Sequence, residues 1–462
     1  MTHVIVVDLG YGDAGKGTVV DWLCANGPVH AVVRFNGGAQ AAHNVVTPDG
    51  RHHTFAQLGS GSFVPGVRTH LSRFMLVDPL ALAAEAAHLA TVGVRDALDR
   101  LTVDRDALLT TPYHVAAGRA RELSRGADRH GTCAMGVGEA MAYALTSTAD
   151  APRVADCASP RLLTAKLTAL RDHYADELGA LAGPPVDECV RAYRAFAERV
   201  ELVDGWFLRS LLHAGDIVFE GAQGVLLDEW HGFHPYTTWS TTTFANAETL
   251  LAEAGLAGEA VRLGVVRTYT TRHGPGPMVT EDPVLTTDLV DQYNPANRWQ
   301  GTFRVGHFDA VAHRYARDVA GGIDSLAVTH LDVAGRRRDL RICTAYAADG
   351  GERLSEIQSG PVGDLLAQEA LTRKLLRARP IYNGSAPGVD MTLADVTVGW
   401  IDLIGSILQA PVVIASHGRS RTDKSAVHAG RAVSSPATDL TLASQHVVPA
   451  SWSRPAGECP LR

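Results

Sequence analysis

The sequence predicts an α/β protein with a central, mostly parallel sheet, a nucleotide-binding loop that resembles a P-loop, and a helical insertion. Two observations near the start of the chain predict this fold. Residues 4–9 form a continuous apolar run, which is typical of a strand buried on both faces of a parallel sheet. A glycine-rich loop then leads into residues 18–25, whose apolar side chains recur at helical spacing. A strand, a loop and a helix in this order are typical of α/β sheets.

The following elements continue the same alternation. Residues 31–35 form a second strand candidate that ends in a glycine loop at 36–38. Residues 71–77 form another strand candidate, which leads into an alanine-rich helix at 79–89. Further strands are expected at 216–220, 262–269, 325–331 and 410–415. A polar or glycine-bearing turn follows each of them, which favours a sheet with helical or loop crossovers.

Length and composition are those of one large globular domain. The chain has 462 residues, of which 46% are hydrophobic and 20% are charged, and this balance excludes disordered, collagen-like and coiled-coil chains. We expect a single domain over residues 1–432, with the helical insertion at about 160–211, where the apolar pattern is nearly all helical. Residues 433–462 are rich in Ser, Pro, Thr and Ala, and we expect a loosely ordered tail there.

Charge and cysteine content exclude several classes of protein. The chain has 42 Lys and Arg against 50 Asp and Glu, a net charge of −8, and no polybasic run, so we expect no nucleic-acid partner. We expect no membrane partner either, since no apolar stretch reaches the ~18 residues of a spanning helix and the first residues lack a secretory pattern. The six cysteines form no C-x-x-C pair, which favours the reducing cytoplasm over a disulfide framework or a zinc site.

The first glycine loop has the pattern of a phosphate-binding loop. Residues 10–16 read G-x-x-x-x-G-K, with Gly17 where the usual motif has Ser or Thr, and Thr18 one place later. Glycines let backbone N–H groups turn towards phosphate oxygens, and the N-terminus of the following helix adds partial positive charge. Lys16 supplies a mobile cation. Because the chain has only four lysines, a lysine at this position is a specific signal.

A carboxylate, Asp13, lies inside this loop. It would repel phosphate unless a divalent cation or a proton-transfer role compensates its charge. Two interpretations remain open from the loop alone: Asp13 takes part in chemistry beside the phosphate, or it is a favourable turn residue.

A second motif follows at residues 34–44, which read R-F-N-G-G-A-Q-A-A-H-N. Together the two motifs resemble the adenylosuccinate synthetase family, which carries G-D-E-G-K-G and then G-G-x-N-A-G-H-T. Shorter matches follow in the same order at residues 112–115, 131–132, 219–224, 235–238, 269–281, 331–333 and 416–422. They span roughly residues 3–425, and so many collinear matches make the resemblance specific.

The resemblance implies a GTP-dependent ligase that phosphorylates the 6-oxygen of a hypoxanthine ring and then displaces this phosphate with the amino group of aspartate. In this chain Asp13 would take the ring N1 proton, and His43 would interact with the γ-phosphate and the oxygen that receives it. Mg²⁺ would join the phosphates to Asp13 and to the backbone carbonyl of Ala42. The catalytic residues implied by the resemblance are Asp13, His43, Lys16 and Gln223.

The resemblance also assigns binding roles, residue by residue, to the matched motif positions. The expected GTP-binding residues are Gly12, Gly15, Lys16, Gly17, Thr18, His330, Asp332, Ser416 and Gly418. The expected acceptor-binding residues are Gln40, Thr132, Cys133, Gln223 and Thr238. The expected amine-donor-binding residues are Thr302 and Arg304. Asp332 would accept hydrogen bonds from guanine N1–H and N2–H₂, the groups that distinguish guanine from adenine. As in that family, a homodimer is expected.

Two other features of the sequence favour a structural interpretation. His231 and His234 lie close to the acidic residues 228–229 and resemble metal ligands, but the neighbouring glycine and proline favour a turn. Residues 59–62 read G-S-G-S without the strand and helix that frame a nucleophile elbow.

The sequence departs from the family where charged substrate groups would be recognised. Cys133 stands in place of a hydroxyl that contacts the 5′-phosphate, and Met135 in place of an arginine. A second phosphate-binding arginine, donated across the dimer interface in the family, aligns near Ser147. The arginine-rich motif that holds aspartate and ribose is reduced to Arg304. Each lost hydrogen bond to a charged group removes roughly 1.5–3 kcal/mol, so we expect ordinary substrate recognition to be lost.

These observations predict a divergent GTP-dependent C–N ligase that joins an amine to a purine-like oxo compound in specialised nucleoside metabolism, with Mg²⁺ as cofactor. L-Aspartate remains open as the amine donor. One alternative is a genuine adenylosuccinate synthetase that acts on IMP, L-aspartate and GTP and replaces the missing arginines from elsewhere. The other is a GTP-binding switch protein without ligase activity. Asp13 and His43 argue against the switch, because binding alone requires neither a base nor an acid.

Overall fold

The computed structural model describes residues 2–385 and 392–427. Its strands are β1 (His3–Asp8), β2 (Val29–Arg34), β3 (His43–Val46), β4 (His52–Phe55), β5 (Arg68–Leu71), β6 (Leu76–Val77), β7 (Leu101–Asp104), β8 (Leu108–Leu109), β9 (Glu201–Val203), β10 (Asp216–Glu220), β11 (Ala260–Arg267), β12 (Thr270–His273), β13 (Phe303–Gly306), β14 (Phe308–Asp309), β15 (Ser325–Thr329), β16 (Arg341–Ala347), β17 (Arg353–Leu354), β18 (Arg379–Ser385), β19 (Val412–Ser416) and β20 (Lys424–Ala426).

Its α-helices are α1 (Lys16–Asn26), α2 (Pro79–Thr91), α3 (Pro112–Ser124), α4 (Val137–Thr146), α5 (Pro160–Leu178), α6 (Val186–Arg199), α7 (Gly205–Ala214), α8 (Ala245–Glu253), α9 (Pro283–Asp288), α10 (Ala310–Val319), α11 (Leu331–Arg336), α12 (Leu365–Arg377) and α13 (Leu393–Leu408). None of the helices in the described ranges is long and apolar enough to cross a membrane.

Ten strands form the central sheet, in the order β20-β19-β15-β11-β1-β10-β2-β5-β7-β9. Every neighbouring pair is parallel except β19 and β20, which are antiparallel. β1 lies between β10 and β11 and is buried along its whole length, as its continuous apolar run predicts. The predicted fold class, a mostly parallel α/β sheet, is therefore confirmed.

The structure divides one predicted strand and shortens another. The expected strand at 71–77 consists of β5 and β6, separated by a turn in which the N–H of Met75 donates to the carbonyl of Ser72 over 2.9 Å. The expected strand at 325–331 ends at Thr329, because His330 adopts a left-handed conformation with φ of 59° and the helix α11 begins after it. A left-handed residue interrupts the extended backbone that a strand requires.

The segment at 160–211 is not entirely helical. Helices α5 and α6 occupy most of it, but β9 follows them and pairs in parallel with β7 at the edge of the central sheet. Asp204 then ends β9 by accepting hydrogen bonds from the first turn of α7, as an N-terminal capping residue does. The predicted helices of this segment are thus confirmed as α5 and α6, but the edge strand β9 was not predicted. The predicted tail at 433–462 lies outside the described residues.

Two large hydrophobic clusters fill the molecule on different parts of the sheet. The first surrounds the middle strands and the helices α7, α8, α10 and α13. The second lies between β5, β7 and the helices α2, α3, α5 and α6. A third, smaller cluster packs α1 against the opposite face of the middle strands. The site described next lies at the carboxyl ends of the middle strands, where parallel α/β sheets bind ligands.

Candidate active site

The phosphate-type loop connects β1 to α1 and lies against the turn that follows β10. Gly12 and Gly15 have φ angles of 112° and 93°, a conformation that favours glycine. A Cβ atom on Gly12 would lie 3.2 Å from the backbone of Gln223, so the loop and the turn are in close contact. Gly15 caps α1 without a side-chain hydrogen bond. The N–H groups of the first helical turn therefore need an outside acceptor, as in anion sites at helix N-termini.

The side chain of Lys16 is directed into the protein. Its side chain is 1% exposed, and its Nζ donates to the carbonyl oxygens of Gly12 and Gln223 over 2.8 and 2.7 Å. A carboxylate oxygen of Asp8 lies 3.4 Å from the same Nζ. These hydrogen bonds hold the loop to the turn after β10, and the role of Lys16 as a cation for phosphate stays a prediction.

Asp13 follows Gly12 in this loop and is half-buried. Burial raises the pKa of its carboxyl group to about 6, although the charge of Arg267 opposes this. Arg267 also donates from Nη1 to the backbone carbonyl of Asp13 over 3.0 Å. A carboxyl group whose pKa lies near neutrality is suited to take a proton from a substrate.

The surroundings of Asp13 fit the magnesium site that the sequence resemblance implies. The described residues contain no cluster of three or more His, Cys, Asp or Glu side chains that could hold a metal ion by themselves. Mg²⁺ is commonly held by one or two carboxylates together with substrate phosphates and water. One carboxylate beside an uncapped helix N-terminus agrees with this preference, and Ala42, whose carbonyl is the other implied ligand, is exposed and directly precedes His43.

His43 and Glu220 form a buried pair. His43 is the first residue of β3 and Glu220 is the last residue of β10, and the imidazole Nδ1 lies 2.6 Å from a carboxylate oxygen. Ser60 donates to the same carboxylate from its backbone N–H, over 2.9 Å, and from its hydroxyl group. Glu220 thereby fixes the imidazole so that its Nε2 is left for a ligand, because a bonded nitrogen sets the tautomer of the other.

The two members of this pair have different protonation tendencies. Burial by itself raises the pKa of Glu220, but His43 and the buried guanidinium of Arg34 outweigh it and hold the pKa at about 2. Burial lowers the pKa of His43 to about 4, although Glu220 opposes this. At neutral pH the pair therefore consists of an ionised carboxylate and a neutral imidazole that donates to it.

Gln223 and Gln40 face each other across Gly37. Gln223 has a φ of 56°, a strained conformation for a residue with a side chain that often marks functional sites. A Cβ on Gly37 would lie 3.1 Å from Oε1 of Gln223 and 3.5 Å from Nε2 of Gln40. Both of these amide atoms are buried without a hydrogen-bond partner in the described ranges. Unpaired buried amides require an explanation, and a polar ligand between them supplies one.

A cleft of about 640 Å³ opens beside these amides. All five predicted acceptor-binding residues line it: Gln40, Thr132, Cys133, Gln223 and Thr238. One wall comes from α3 and α4, and the other from the segment 227–239, which contributes the aromatic rings of Trp230, Tyr236 and Trp239. The volume and the mixed aromatic and polar lining are those of a small-molecule site.

The three arginines that line the cleft are already paired. Arg121 contacts Glu139 at 3.1 Å and Glu177 at 2.7 Å, and Arg125 contacts Glu122 at 2.9 Å. Arg272 is buried and donates to three backbone carbonyls, those of Tyr236, Pro275 and Pro277. Burial also lowers the pKa values of His130 and His273, which line the same cleft. Among the described lining residues, two arginines are thus paired with carboxylates, and Arg272 keeps its charge but directs all three of its nitrogens at backbone carbonyls.

The predicted donor residues differ in their surroundings. Thr302 is exposed. Arg304 donates from Nε to the carbonyl of Gly274 over 2.9 Å and from Nη2 to that of Gly276 over 2.8 Å, and its Nη1 lies 2.6 Å from a carboxylate oxygen of Glu281. The guanidinium therefore braces the loop after β12, and a donor carboxylate would have to compete with Glu281 for it.

The predicted GTP-binding residues gather at the ends of β15 and β19, next to α1. The hydroxyl of Thr18 donates to the carbonyl of Arg419 over 3.0 Å, and the hydroxyl of Ser416 donates to that of Gly418 over 3.2 Å. His330 precedes α11, and Asp332 lies in its first turn, where one carboxylate oxygen is 2.8 Å from the exposed guanidinium of Arg336. The Asp332 carboxylate remains partly exposed and is thus accessible to the nucleobase of a nucleotide.

Sequence reasoning missed three parts of this site. Glu220 was part of a matched motif but had no assigned role, and a role for Ser60 was not expected. Asp8 was treated as part of the first strand. Ser60 and Glu220 are 160 residues apart, so only the three-dimensional arrangement reveals their contact, whereas Asp8 contacts the adjacent loop through a side-chain direction that the sequence does not show. The turn predicted around His231 is confirmed, since Asp228 accepts hydrogen bonds from the backbone N–H groups of Trp230 and His231.

A parallel sheet with a phosphate-type loop, a carboxylate in that loop and a carboxylate–histidine pair beside it define a class of nucleotide-dependent enzymes that transfer phosphoryl groups. The model of the adenylosuccinate synthetase family matches residues 5–425. The chain belongs to the adenylosuccinate synthetase family, whose members are GTP-dependent C–N ligases.

Curated relatives and solved structures agree with this assignment. The chain is 32% identical to the adenylosuccinate synthetase of Magnetococcus marinus over 451 residues, which cover 92% of this chain and 98% of that protein. It is 32% identical to the enzyme of Thermosynechococcus vestitus, with 91% and 94% covered.

Two solved structures share the fold. The fully ligated adenylosuccinate synthetase of Plasmodium falciparum has a TM-score of 0.78 at 21% identity, with 92% of this chain and 99% of that chain covered. The succinoaminodeoxyadenylate synthetase PurZ of cyanophage S-2L, bound to dGMP and to dATP as an energy donor, has a TM-score of 0.59 at 18% identity, with 93% and 96% covered.

Proposed function

We propose that this chain is a divergent member of its family that uses GTP and Mg²⁺ to activate the oxo group of a purine-like acceptor without a 5′-phosphate, such as a nucleoside or a free heterocycle. An amine then displaces the phosphate, in a reaction of specialised nucleoside metabolism. The observation that carries the proposal is the cleft in which each described lining arginine is already engaged: Arg121 and Arg125 are paired with carboxylates, and Arg272 donates to three backbone carbonyls. A phosphate group with about two negative charges would be buried there without compensation, which is unfavourable.

The catalytic half of the site supports ligase chemistry. Asp13, with its pKa raised to about 6, is suited to remove the ring N–H proton, which makes the adjacent oxygen nucleophilic. His43, oriented by Glu220, directs Nε2 at the transferred phosphoryl group, whose negative charge favours protonation of the imidazole. Mg²⁺ supplies charge neutralisation at the phosphates, and Asp13 is the side chain that would hold it.

The amine donor follows from the contacts of Arg304. Because its guanidinium is engaged with Glu281 and two carbonyl groups, a donor with two carboxylates gains little from it. Arg304 is the remaining arginine of the donor motif, and it provides at most one contact to a single carboxylate. We therefore propose a donor with less negative charge than L-aspartate, such as a neutral amino acid.

A second candidate function is ordinary adenylosuccinate synthesis from IMP, L-aspartate and GTP. It is favoured by the family match over residues 5–425 and by the 32% identity to curated adenylosuccinate synthetases. The paired arginines of the cleft argue against it, because IMP and aspartate together bring at least three anionic groups. The GTP-binding switch is the third candidate, and the oriented His43 and Glu220 argue against it.

The deciding experiment measures GDP release by the whole chain with matched pairs of acceptors and donors. We expect inosine or free hypoxanthine to exceed IMP as the acceptor, and a neutral amino acid to match or exceed L-aspartate as the donor. The assay should also include dGMP as an acceptor and ATP as an energy donor. The structure of PurZ, which shares this fold, is bound to dGMP and to dATP as an energy donor. Efficient adenylosuccinate formation at micromolar IMP, low in the ordinary KM range of about 1 μM to 1 mM, would restore the ordinary synthetase.

A double variant provides a matched gain-of-function arm. Cys133→Thr with Met135→Arg puts back the hydroxyl and the guanidinium that the family carries at these positions. We expect kcat/KM for IMP with L-aspartate as donor to rise at least tenfold while kcat/KM for inosine with a neutral amino acid stays the same or falls, because one charged contact alone is worth roughly 1.5–3 kcal/mol. GTP binding without turnover of any acceptor would instead favour the switch.

A further inference from the structure

A buried carboxylate lies beneath the phosphate-type loop. Asp8 is the last residue of β1 and is 1% exposed. Its Oδ1 accepts hydrogen bonds from the N–H groups of Gly10 and Gly12 over 2.7 and 3.3 Å, and its Oδ2 accepts from the N–H of Ala14 over 2.7 Å. The Nζ of Lys16 lies 3.4 Å from Oδ2. One side chain therefore takes three backbone donors of the loop and compensates the charge of its lysine.

This arrangement divides the donors of the loop into two groups. Loops of this type turn backbone N–H groups inwards to hold an anion, and here the N–H groups of residues 10, 12 and 14 already hold the carboxylate of Asp8. The first turn of α1 has no side-chain cap, so its N–H groups remain for the nucleotide. The protein thus carries its own anion on the inner side of the loop.

We propose that Asp8 is a positioning residue that holds the phosphate loop in its nucleotide-binding conformation before GTP arrives. It acts through the loop and does not touch the nucleotide. A loop that is ordered in advance loses less conformational entropy when the ligand binds, which increases affinity. The inference rests on the GTP site proposed above, and it adds a residue that the matched motifs do not include.

The position of the loop also affects the acceptor side. Lys16, held near Asp8, donates to the carbonyl of Gln223 over 2.7 Å. A Cβ on Gly224 would lie 2.3 Å from the carbonyl oxygen of Gly10, so the loop and the turn after β10 pack without space between them. A loop that is displaced from Asp8 would therefore also displace Gln223, and the KM of the acceptor should rise together with that of GTP.

The first test needs no variant. Hydrogen–deuterium exchange of the wild-type protein without nucleotide should show slow exchange at the amides of Gly10, Gly12 and Ala14, because each donates to Asp8. Rapid exchange of these amides in the wild type would overturn the proposal, whatever the protein does with GTP.

The second test is Asp8→Asn, which keeps the shape but leaves one acceptor oxygen. Its NH₂ group would face either the Gly10 side or the Ala14 side of the loop, where donors already point. We expect at least tenfold faster exchange over residues 9–15 and at least a tenfold increase in the Kd of GTP. Saturating GTP should restore slow exchange, because the nucleotide then orders the loop itself.

The matched control is Glu85→Gln. Glu85 is also a buried carboxylate, and it accepts hydrogen bonds from the backbone N–H groups of Ala56, Gln57 and Leu58 over 2.9, 2.9 and 3.1 Å. The substitution removes the same charge and the same kind of contacts from a different loop. We expect it to leave the Kd of GTP and the exchange of residues 9–15 at wild-type values, even where it lowers the melting temperature.

The outcomes separate a positioning role from a general structural one. An unchanged Kd of GTP in Asp8→Asn, or an equal increase in Asp8→Asn and Glu85→Gln, would contradict the role of Asp8. Absence of GTP binding by the wild type would contradict the proposed nucleotide site, and with it the effect of Asp8 on binding. Slow exchange at the three amides would then confirm only that Asp8 accepts their hydrogen bonds.

Discussion

Two carboxyl groups of the site have opposite protonation tendencies because their neighbours differ. The carboxyl of Asp13 is half-buried without a hydrogen bond to a described side chain, and its partial burial raises its pKa to about 6. Glu220 is more deeply buried, yet the hydrogen bonds from His43 and Ser60 stabilise its ionised form. Titratable groups whose pKa values are moved apart by their surroundings indicate how acid and base roles are divided. This division supports the proposed roles of Asp13 as the base and of Glu220 as the residue that orients the acid.

The pKa of Asp13 predicts a pH dependence. A base acts in its deprotonated form, and a pKa of about 6 means that the protonated form increases as the pH falls through that value. We expect kcat/KM for the acceptor to fall as the pH is lowered from about pH 6 towards about pH 5. The measurement is GDP release between about pH 5 and about pH 8 with saturating GTP.

The matching substitution is Asp13→Asn, which should abolish acceptor-dependent GDP release at every pH without lowering the melting temperature. A rate that stays constant down to about pH 5, or wild-type turnover in Asp13→Asn, would show that another group is the base.

Glu220→Gln tests the orientation of His43. An amide has one accepting oxygen where the carboxylate accepts from His43 and Ser60 on two oxygens, so its NH₂ group would face a donor. We expect kcat to fall by up to the ~10² to 10⁴ that a general acid contributes, with the Kd of GTP within about twofold of wild type. Ser60→Ala is the milder companion variant, and it should lose far less activity. Equal kcat in Glu220→Gln and wild type would exclude the pair from the reaction.

At the scale of secondary structure, the start of α1 is shaped to receive His43. Gly17 is the second residue of that helix, and a Cβ added to it would lie 2.7 Å from the Cβ of His43 and 3.0 Å from the hydroxyl of Ser60. Contacts this short force one of the two elements to move. The glycine that stands where a hydroxyl residue is usual therefore has a physical reason in this chain, because it lets β3 approach the helix.

Gly17→Ala should consequently damage the site while the fold persists. We expect kcat to fall by at least tenfold, because the shift moves His43 away from the transferred group. Gly205→Ala is the control, since Gly205 also lies in the first turn of a helix but has no heavy atom within 4 Å of an added Cβ. Steady-state rates and melting temperatures of both variants should be compared. Full activity in Gly17→Ala would contradict the close packing of β3 on α1.

The elements differ in how far the sequence predicts them. Strong periodic segments such as β1 and α2 were predicted within a few residues, because their apolar pattern follows directly from burial on a sheet. The motif positions Asp13, His43 and Gln223 were predicted through the family resemblance. The contacts of Arg304 with Glu281 and two glycine carbonyls were not, since they depend on how β12 and β13 pair. Likewise, nothing in the sequence shows that Asp8 points into the loop.

At the scale of the whole molecule, ligand binding should appear as stabilisation of the folded state. A ligand that binds only the folded protein raises the free energy of unfolding by about 2.7 kcal/mol at a hundredfold excess over Kd. We expect GTP with Mg²⁺ to raise the melting temperature more than ATP does, because Asp332 can pair with guanine. In Asp332→Ala, the free energy by which GTP stabilises the protein more than ATP does should fall by about 2 kcal/mol. Equal shifts with GTP and ATP in the wild type would show that Asp332 does not select the base.

The two walls of the acceptor cleft belong to different hydrophobic clusters. The wall from α3 and α4 packs with α5 and β7 in the second cluster, whereas Asp13, Glu220 and Gln223 are held by the middle strands. Substitutions in the outer wall can therefore accumulate over evolutionary time without disturbing the strands that position the reacting groups. Because the two walls pack in separate clusters, we expect related enzymes to differ in their acceptors while they keep the residues that act on the phosphate.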